Sequence, residues 1–203
     1  AALAASNSRC HADLIGHWTF ETGNELNDLT GNFPDLSLQG DATVSGGALD
    51  VNGSGTTATG WAYTTGGSYA GPAIGDRTLV SWVTLQDLDV RAGSILTLDK
   101  VTGDQFDGII WAEQNAGRWM SGSNGFTRTS PFDTPADLGS TSLAQVAITY
   151  SNAGATTLIT GYLDGVQIGQ YSQGGPVTWA TGDVEAIFGK RHGNPAPTGP
   201  GGL

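Results

Sequence analysis

Apolar residues recur at every second position through most of this chain. Val146, Ile148 and Tyr150 alternate with Ala147 and Thr149, the period of a strand with one buried side. The turn formers Ser151 to Gly154 lead into a second β-rich run, Thr156 to Leu163. Asp164-Gly165 follows at once, and Val166, Ile168 and Tyr171 resume the apolar pattern. An Asp-Gly pair between two such runs predicts a tight hairpin, because glycine accepts the positive φ of that turn. In Arg77 to Leu85, Leu79, Ser81, Val83 and Leu85 share one side and Val80, Trp82 and Thr84 the other. Further strands are predicted at Leu49 and Val51, from Trp61 to Tyr63, over Ile95–Asp99 and Asp107–Glu113, after the turn at Asn115–Gly117, and from Glu185 onward. No segment carries a helical apolar stripe over three turns, and none reaches the roughly 18 apolar residues of a membrane-spanning helix. The pattern predicts an all-β chain.

Composition sharpens this picture. The 203 residues suit one β-sandwich domain, and 38% hydrophobic residues with 6 Trp are enough for a core. Thirty-two glycines and only 13% charged residues describe many turns. The net charge of −11, with 8 Lys and Arg in all, argues against nucleic acid, which requires clustered cations. The acidity reads either as a soluble extracellular surface or as carboxylates that hold Ca²⁺. Ala1 to Ala5 is similar to the tail of a signal peptide, and equally to an Ala-rich mature arm. Cys10 is the only cysteine, so no internal disulfide forms. Together these features predict a secreted chain, extracellular or periplasmic.

The motif running from Val146-Ala-Ile-Thr-Tyr150 to Tyr162-Leu-Asp-Gly-Val166 resembles the hallmark of LamG-like members of the concanavalin A-like lectin/glucanase superfamily. Asp13–Glu21, with Trp18 and Phe20, is similar to that family's first strand. Glu25–Asn32 resembles the loop that follows it, Gly46–Gly53 the next strand, Arg77–Leu85 a central strand and Glu185–Gly189 a late one. The resemblance implies a two-sheet antiparallel jelly roll over residues 13–193, with an arm at 1–12 and a Gly/Pro-rich tail at 194–203. It also implies a further strand beside Leu14–Phe20, at the point where the sequence stops at Leu203. That edge is therefore expected to be covered by more chain, by a neighbouring subunit or by a rearranged piece of this one. Ser140–Leu143 stands where the family carries an aromatic and a His pair.

In the family the curved inner sheet carries any ligand site. The candidate ligand-binding residues are accordingly Trp111, Glu113, Arg118 and Trp119, with core and rim packing as the alternative. Lys190, Arg191 and His192 form a cationic cluster suited to a carboxylate or sulfate, or to pairing with surface acids. A structural Ca²⁺ is expected near Glu21 or Asp28; the same Asp28 loop also suits an Asx-turn that uses those oxygens on its own backbone.

Catalytic signatures are missing from the sequence. No Glu-x-Asp-x-x-Glu string sets two carboxylates about 5–5.5 Å apart on one strand. There is no Gly-x-Ser-x-Gly elbow and no Cys/His zinc spacing. The expectation is a non-catalytic binding or adhesion module for a glycan or protein surface, or else an accessory subunit of a larger assembly.

Overall fold

The computed structural model describes residues 12–51, 53–54, 57–64, 68–89, 93–133, 142–190, 192–193 and 197–198. Cys10, Arg191, the expected arm except Ala12, and the tail except Pro197–Thr198 lie outside the described residues.

The first strands are β1 (Leu36–Gly40), β2 (Thr43–Ser45), β3 (Ala48–Asp50), β4 (Gly53–Ser54), β5 (Thr57–Ala58) and β6 (Gly60–Thr64). The middle of the chain supplies β7 (Arg77–Val83), β8 (Gly93–Asp99), β9 (Phe106–Trp111) and β10 (Trp119–Ser123). Then come β11 (Ala144–Ala153), β12 (Thr156–Leu163), β13 (Val166–Gln173), β14 (Glu185–Phe188), β15 (His192–Gly193) and β16 (Pro197–Thr198). Among the described residues the helical content is a single 3₁₀ turn at Asn124–Phe126.

Two antiparallel sheets form a β-sandwich, as the chain length and the resemblance imply. One has six strands in the order β1-β6-β14-β8-β9-β10, the other four in the order β13-β12-β11-β7. Strands β2 and β3, β4 and β5, and β15 and β16 pair off as small ribbons. Leu79, Val146, Ile148 and Ile159 of the four-stranded sheet are buried in one core cluster with Ala62, Leu98, Ile109, Trp111 and Ala186 of the other.

The Asp-Gly hairpin is present. Leu163 pairs with Val166, and Asp164 and Gly165 sit at φ 49° and 78°, the two left-handed positions of a two-residue turn. The preceding turn is tighter than the sequence predicts, since Ser151 and Asn152 belong to β11 and pair with Leu158 and Thr157. Asp76 explains the extension: its carboxylate accepts from Asn152 N–H at 2.8 Å and from the Ser151 hydroxyl at 3.3 Å.

Asp13–Glu21 departs from the expected first strand, joining neither sheet ladder. Its backbone is bound to the following loop instead. His17 N–H donates to Asp28 Oδ1 at 2.8 Å, and Leu29 N–H donates to the His17 carbonyl at 2.8 Å. The aromatic plug survives the loss of the ladder. Trp18 lies 5.3 Å from Phe33 and 5.4 Å from Phe188, and Phe20 lies 5.8 Å from Phe188.

Candidate functional site

Strand β7 holds a buried charge among apolar residues on one side and an uncharged row on the other. Arg77 turns inward, its guanidinium 4.7 Å from the Tyr150 ring centroid and 4.2 Å from that of Trp179. There it bonds Asp107 of β9, whose other oxygen accepts from Arg128 Nε at 2.9 Å. This charge cluster ties the four-stranded sheet to the six-stranded one across the core. Burial pushes the Asp107 carboxyl up, and the two guanidiniums offset only part of that rise.

The other side of β7 presents Thr78, Val80 and Trp82 outward. Trp82 is 63% exposed and Val80 38%. Register carries this face across the sheet: Gln145 stands opposite Trp82, Ala147 opposite Val80 and Thr149 opposite Thr78. On β12, Tyr162 stands beside Ala147 and Thr160 beside Thr149. Gln167 and Gln170 of β13 complete the rows, with Gln170 Nε2 donating to Thr160 Oγ1 at 2.8 Å. No residue in these rows is charged, although the chain carries 19 Asp and Glu. Ideal strand spacing puts the Cα atoms of Trp82 and Tyr162 about 12 Å apart along one diagonal. This is an uncharged face that carries the exposed Trp82 and the part-buried Tyr162, with amide and hydroxyl groups beside them, Thr160 being buried under Gln170. Trp82 and Val80 together make a small exposed apolar patch on this face.

The residues singled out from the sequence lie elsewhere. Trp111 and Trp119 face each other across β9 and β10, packed edge-on at 4.8 Å and exposed by only 1% and 0%. They are core residues rather than a ligand platform, because the inner side of the six-stranded sheet is filled by the opposing sheet. Glu113 and Arg118 are part-buried and flank the turn between β9 and β10; Arg118 Nη1 donates to the Phe132 carbonyl at 3.3 Å. Lys190 lies apart from them, its Nζ 3.4 Å from the centroid of the Trp61 ring, and burial lowers its pKa. Arg191 is outside the described residues and His192 is placed by its backbone in β15.

Asp28 is fully engaged by its own loop. Oδ1 accepts from the N–H groups of His17 at 2.8 Å and Thr30 at 3.1 Å. Oδ2 accepts from the Thr30 hydroxyl at 2.6 Å and the N–H groups of Asn32 at 3.0 Å and Phe33 at 2.9 Å. Burial raises its pKa, but the bonds from Thr30, Phe33 and His17 outweigh it and the net shift is downward. Five donors aimed at one carboxylate do not fit a Ca²⁺ ligand, whose oxygens must face the cation. Glu21 is exposed, against Gly47. Among the described residues no three His, Cys, Asp or Glu side chains converge as metal ligands.

The sequence alternation had already placed Val80 and Trp82 on a common side. What it lacked was the sign: both sides of β7 are apolar, so period alone does not say which meets solvent.

No family model matches the chain, so the LamG-like resemblance has no family assignment behind it. No curated protein matches either. Among solved structures, the chain is similar to the carbohydrate binding module CBM66 from Bacillus subtilis at 12% sequence identity and a TM-score of 0.41, over 77% of this chain and 88% of that one.

Proposed function

We propose that this protein is a secreted, non-catalytic module that binds glycan chains across the outer face of its four-stranded sheet. The observation that carries this reading is the exposed Trp82 ring on an uncharged strand face. A sugar ring offers one apolar C–H face and a rim of hydroxyls. The indole takes the first by excluding water from both surfaces. Gln145, Gln167, Thr78 and Thr149 supply donors and acceptors for the second. Absence of charge on this face favours neutral sugars, since an anionic polymer would meet the field of a chain at −11.

The non-catalytic part of the reading is supported by the placement of one directly opposed cross-strand carboxyl pair. Asp99 and Glu185 stand directly opposite each other on β8 and β14, 0% and 5% exposed, where a glycosidic bond has no access.

Binding to a panel of neutral and acidic polysaccharides tests the proposal. Trp82→Ala is expected to weaken binding about tenfold or more, a change of at least about 1.4 kcal/mol, with the thermal melt unchanged. Wild-type affinity in Trp82→Ala, or no retention on any glycan by the wild type, overturns it.

A further inference from the structure

We propose that a cleft at the β13 edge of the four-stranded sheet is a second sugar site, holding one ring of a neutral glycan through the carboxylate of Asp133. The cleft has a volume of about 100 Å³ and lies between Ser130–Asp133 and the stretch Gly169–Tyr171 of β13. It rests on the glycan reading above for the class of its ligand, but not for its place. Strands β7 and β13 are opposite edges of the sheet, and ideal spacing puts the Cα atoms of Trp82 and Gln170 about 20 Å apart.

Glycine makes the hollow. Gly169 stands beside Gly161 of β12, and the Phe132 ring lies over both. A Cβ on Gly169 would meet Phe132 Cδ1 at 3.0 Å and the Asp133 nitrogen at 3.3 Å, so a larger residue there fills the space. The opposite wall is pinned before any ligand arrives. Pro131 is bridged to Met120, and Phe132 N–H donates to the Trp119 carbonyl at 2.9 Å. Arg118 Nη1 donates to the Phe132 carbonyl at 3.3 Å. Ser130 N–H donates to the Tyr171 hydroxyl at 2.9 Å, which ties this wall to β13. Fixed walls are what a pre-formed small-molecule site requires.

The lining selects the ligand. Asp133 is exposed, and among the described residues neither its carboxylate nor the Ser130 hydroxyl has a hydrogen-bond partner. Gln170 uses Nε2 on Thr160, which leaves its amide oxygen open. Acceptors therefore predominate, and a ligand with O–H donors on neighbouring carbons answers them. An anionic ligand would meet the Asp133 charge directly. The volume holds several waters, which one sugar ring displaces, and the part-buried Tyr171 gives an apolar surface beside the carboxylate.

Backbone amide shifts of the full 203-residue chain, titrated with glucose, mannose, galactose and glucuronic acid, test this. At least one neutral hexose is expected to move the amides of Asp133, Gly169 and Gln170, and glucuronic acid to leave them in place. Asp133→Ala is expected to weaken that hexose about tenfold or more, with the thermal melt unchanged because Asp133 is exposed. Asp133→Asn, which keeps the shape and one acceptor, is expected to fall between the two. Amides that no hexose moves overturn the proposal. So does undiminished affinity in Asp133→Ala, or glucuronic acid bound as tightly as the hexoses. Trp82→Ala is expected to leave the hexose titration at the cleft unchanged. Loss of polysaccharide in Trp82→Ala and loss of hexose in Asp133→Ala therefore report on the two sites separately, and failure of one reading is told from failure of the other.

Discussion

Arg128 Nε lies 2.9 Å from Asp107 Oδ1 at a depth where their side chains are 5% and 0% exposed. Arg77 bonds the other oxygen, so one carboxylate bridges two guanidiniums inside the sandwich. Removing the carboxylate leaves two buried cations facing each other. Asp107→Asn is expected to destabilise the fold by about 3–5 kcal/mol, read as a lower urea midpoint with an unchanged m-value. Replacing all three residues by apolar side chains of similar volume is expected to recover most of that loss, because the desolvation of the charges disappears with them. A midpoint for Asp107→Asn equal to that of the wild type would show that the cluster is not an anchor between the sheets.

Asp28 organises the loop that stands in for a ladder partner of residues 13–20. Asp28→Ala orphans N–H groups at His17, Thr30 and Phe33, while Asn32 N–H keeps the Thr30 hydroxyl at 3.3 Å. Its expected cost is about 2–3 kcal/mol in urea unfolding. The folded pKa lies below the ordinary 3.8, so this stability is present above that value and is lost as pH falls through the lowered one. Because the carboxylate already accepts five bonds, neither EDTA nor added Ca²⁺ is expected to move the melting temperature. A rise on adding Ca²⁺ would return Glu21 and the Asp28 loop to the role of cation ligands.

The Asp99–Glu185 pair predicts the opposite pH dependence. Burial and the neighbouring Asp99 push Glu185 up to about 8 from an ordinary 4.5. Between those values the folded state keeps a proton that the unfolded chain has released. Stability from this source is full below pH 4.5, falls as pH rises and is gone above about 8, at up to roughly 1.4 kcal/mol per pH unit. Urea midpoints measured from pH 5 to pH 9 are expected to decline. Glu185→Gln, which keeps the hydrogen-bonded shape without the ionisation, is expected to flatten the decline. A wild-type profile as flat as that of Glu185→Gln would rule out the shared proton.

Trp111 and Trp82 are expected to behave as opposites on truncation. Trp111→Ala removes a core side chain packed on Trp119 and is expected to cost about 3–5 kcal/mol. In whatever fraction stays folded, affinity for glycan is expected to be unchanged. Trp82→Ala reverses both outcomes. Urea unfolding and glycan retention measured on the two variants side by side decide the matter, and loss of binding in folded Trp111→Ala protein would move the site into the six-stranded sheet.

Strand periodicity is a local property, so the sequence alone determined the all-β class and most of the ladder. The runs at Arg77, Ala144, Thr156 and Val166 became β7, β11, β12 and β13, and Asp164-Gly165 became the hairpin turn between β12 and β13 because its φ demand is met within two residues. The sequence also paired Val80 with Trp82 on one side of β7. Which side faces water was settled only by packing. Arg77 is drawn inward by Asp107, thirty positions away, and Arg128, fifty-one positions away, completes the cluster. Trp111 and Trp119 have the composition of a ligand platform and became core because an opposing sheet covers them. Asp28 has the composition of a cation ligand and became a loop anchor because His17 and Phe33 come within hydrogen-bonding distance of it. Alternation tells that two sides differ, but burial depends on what the rest of the chain places against each side, and that is a non-local quantity.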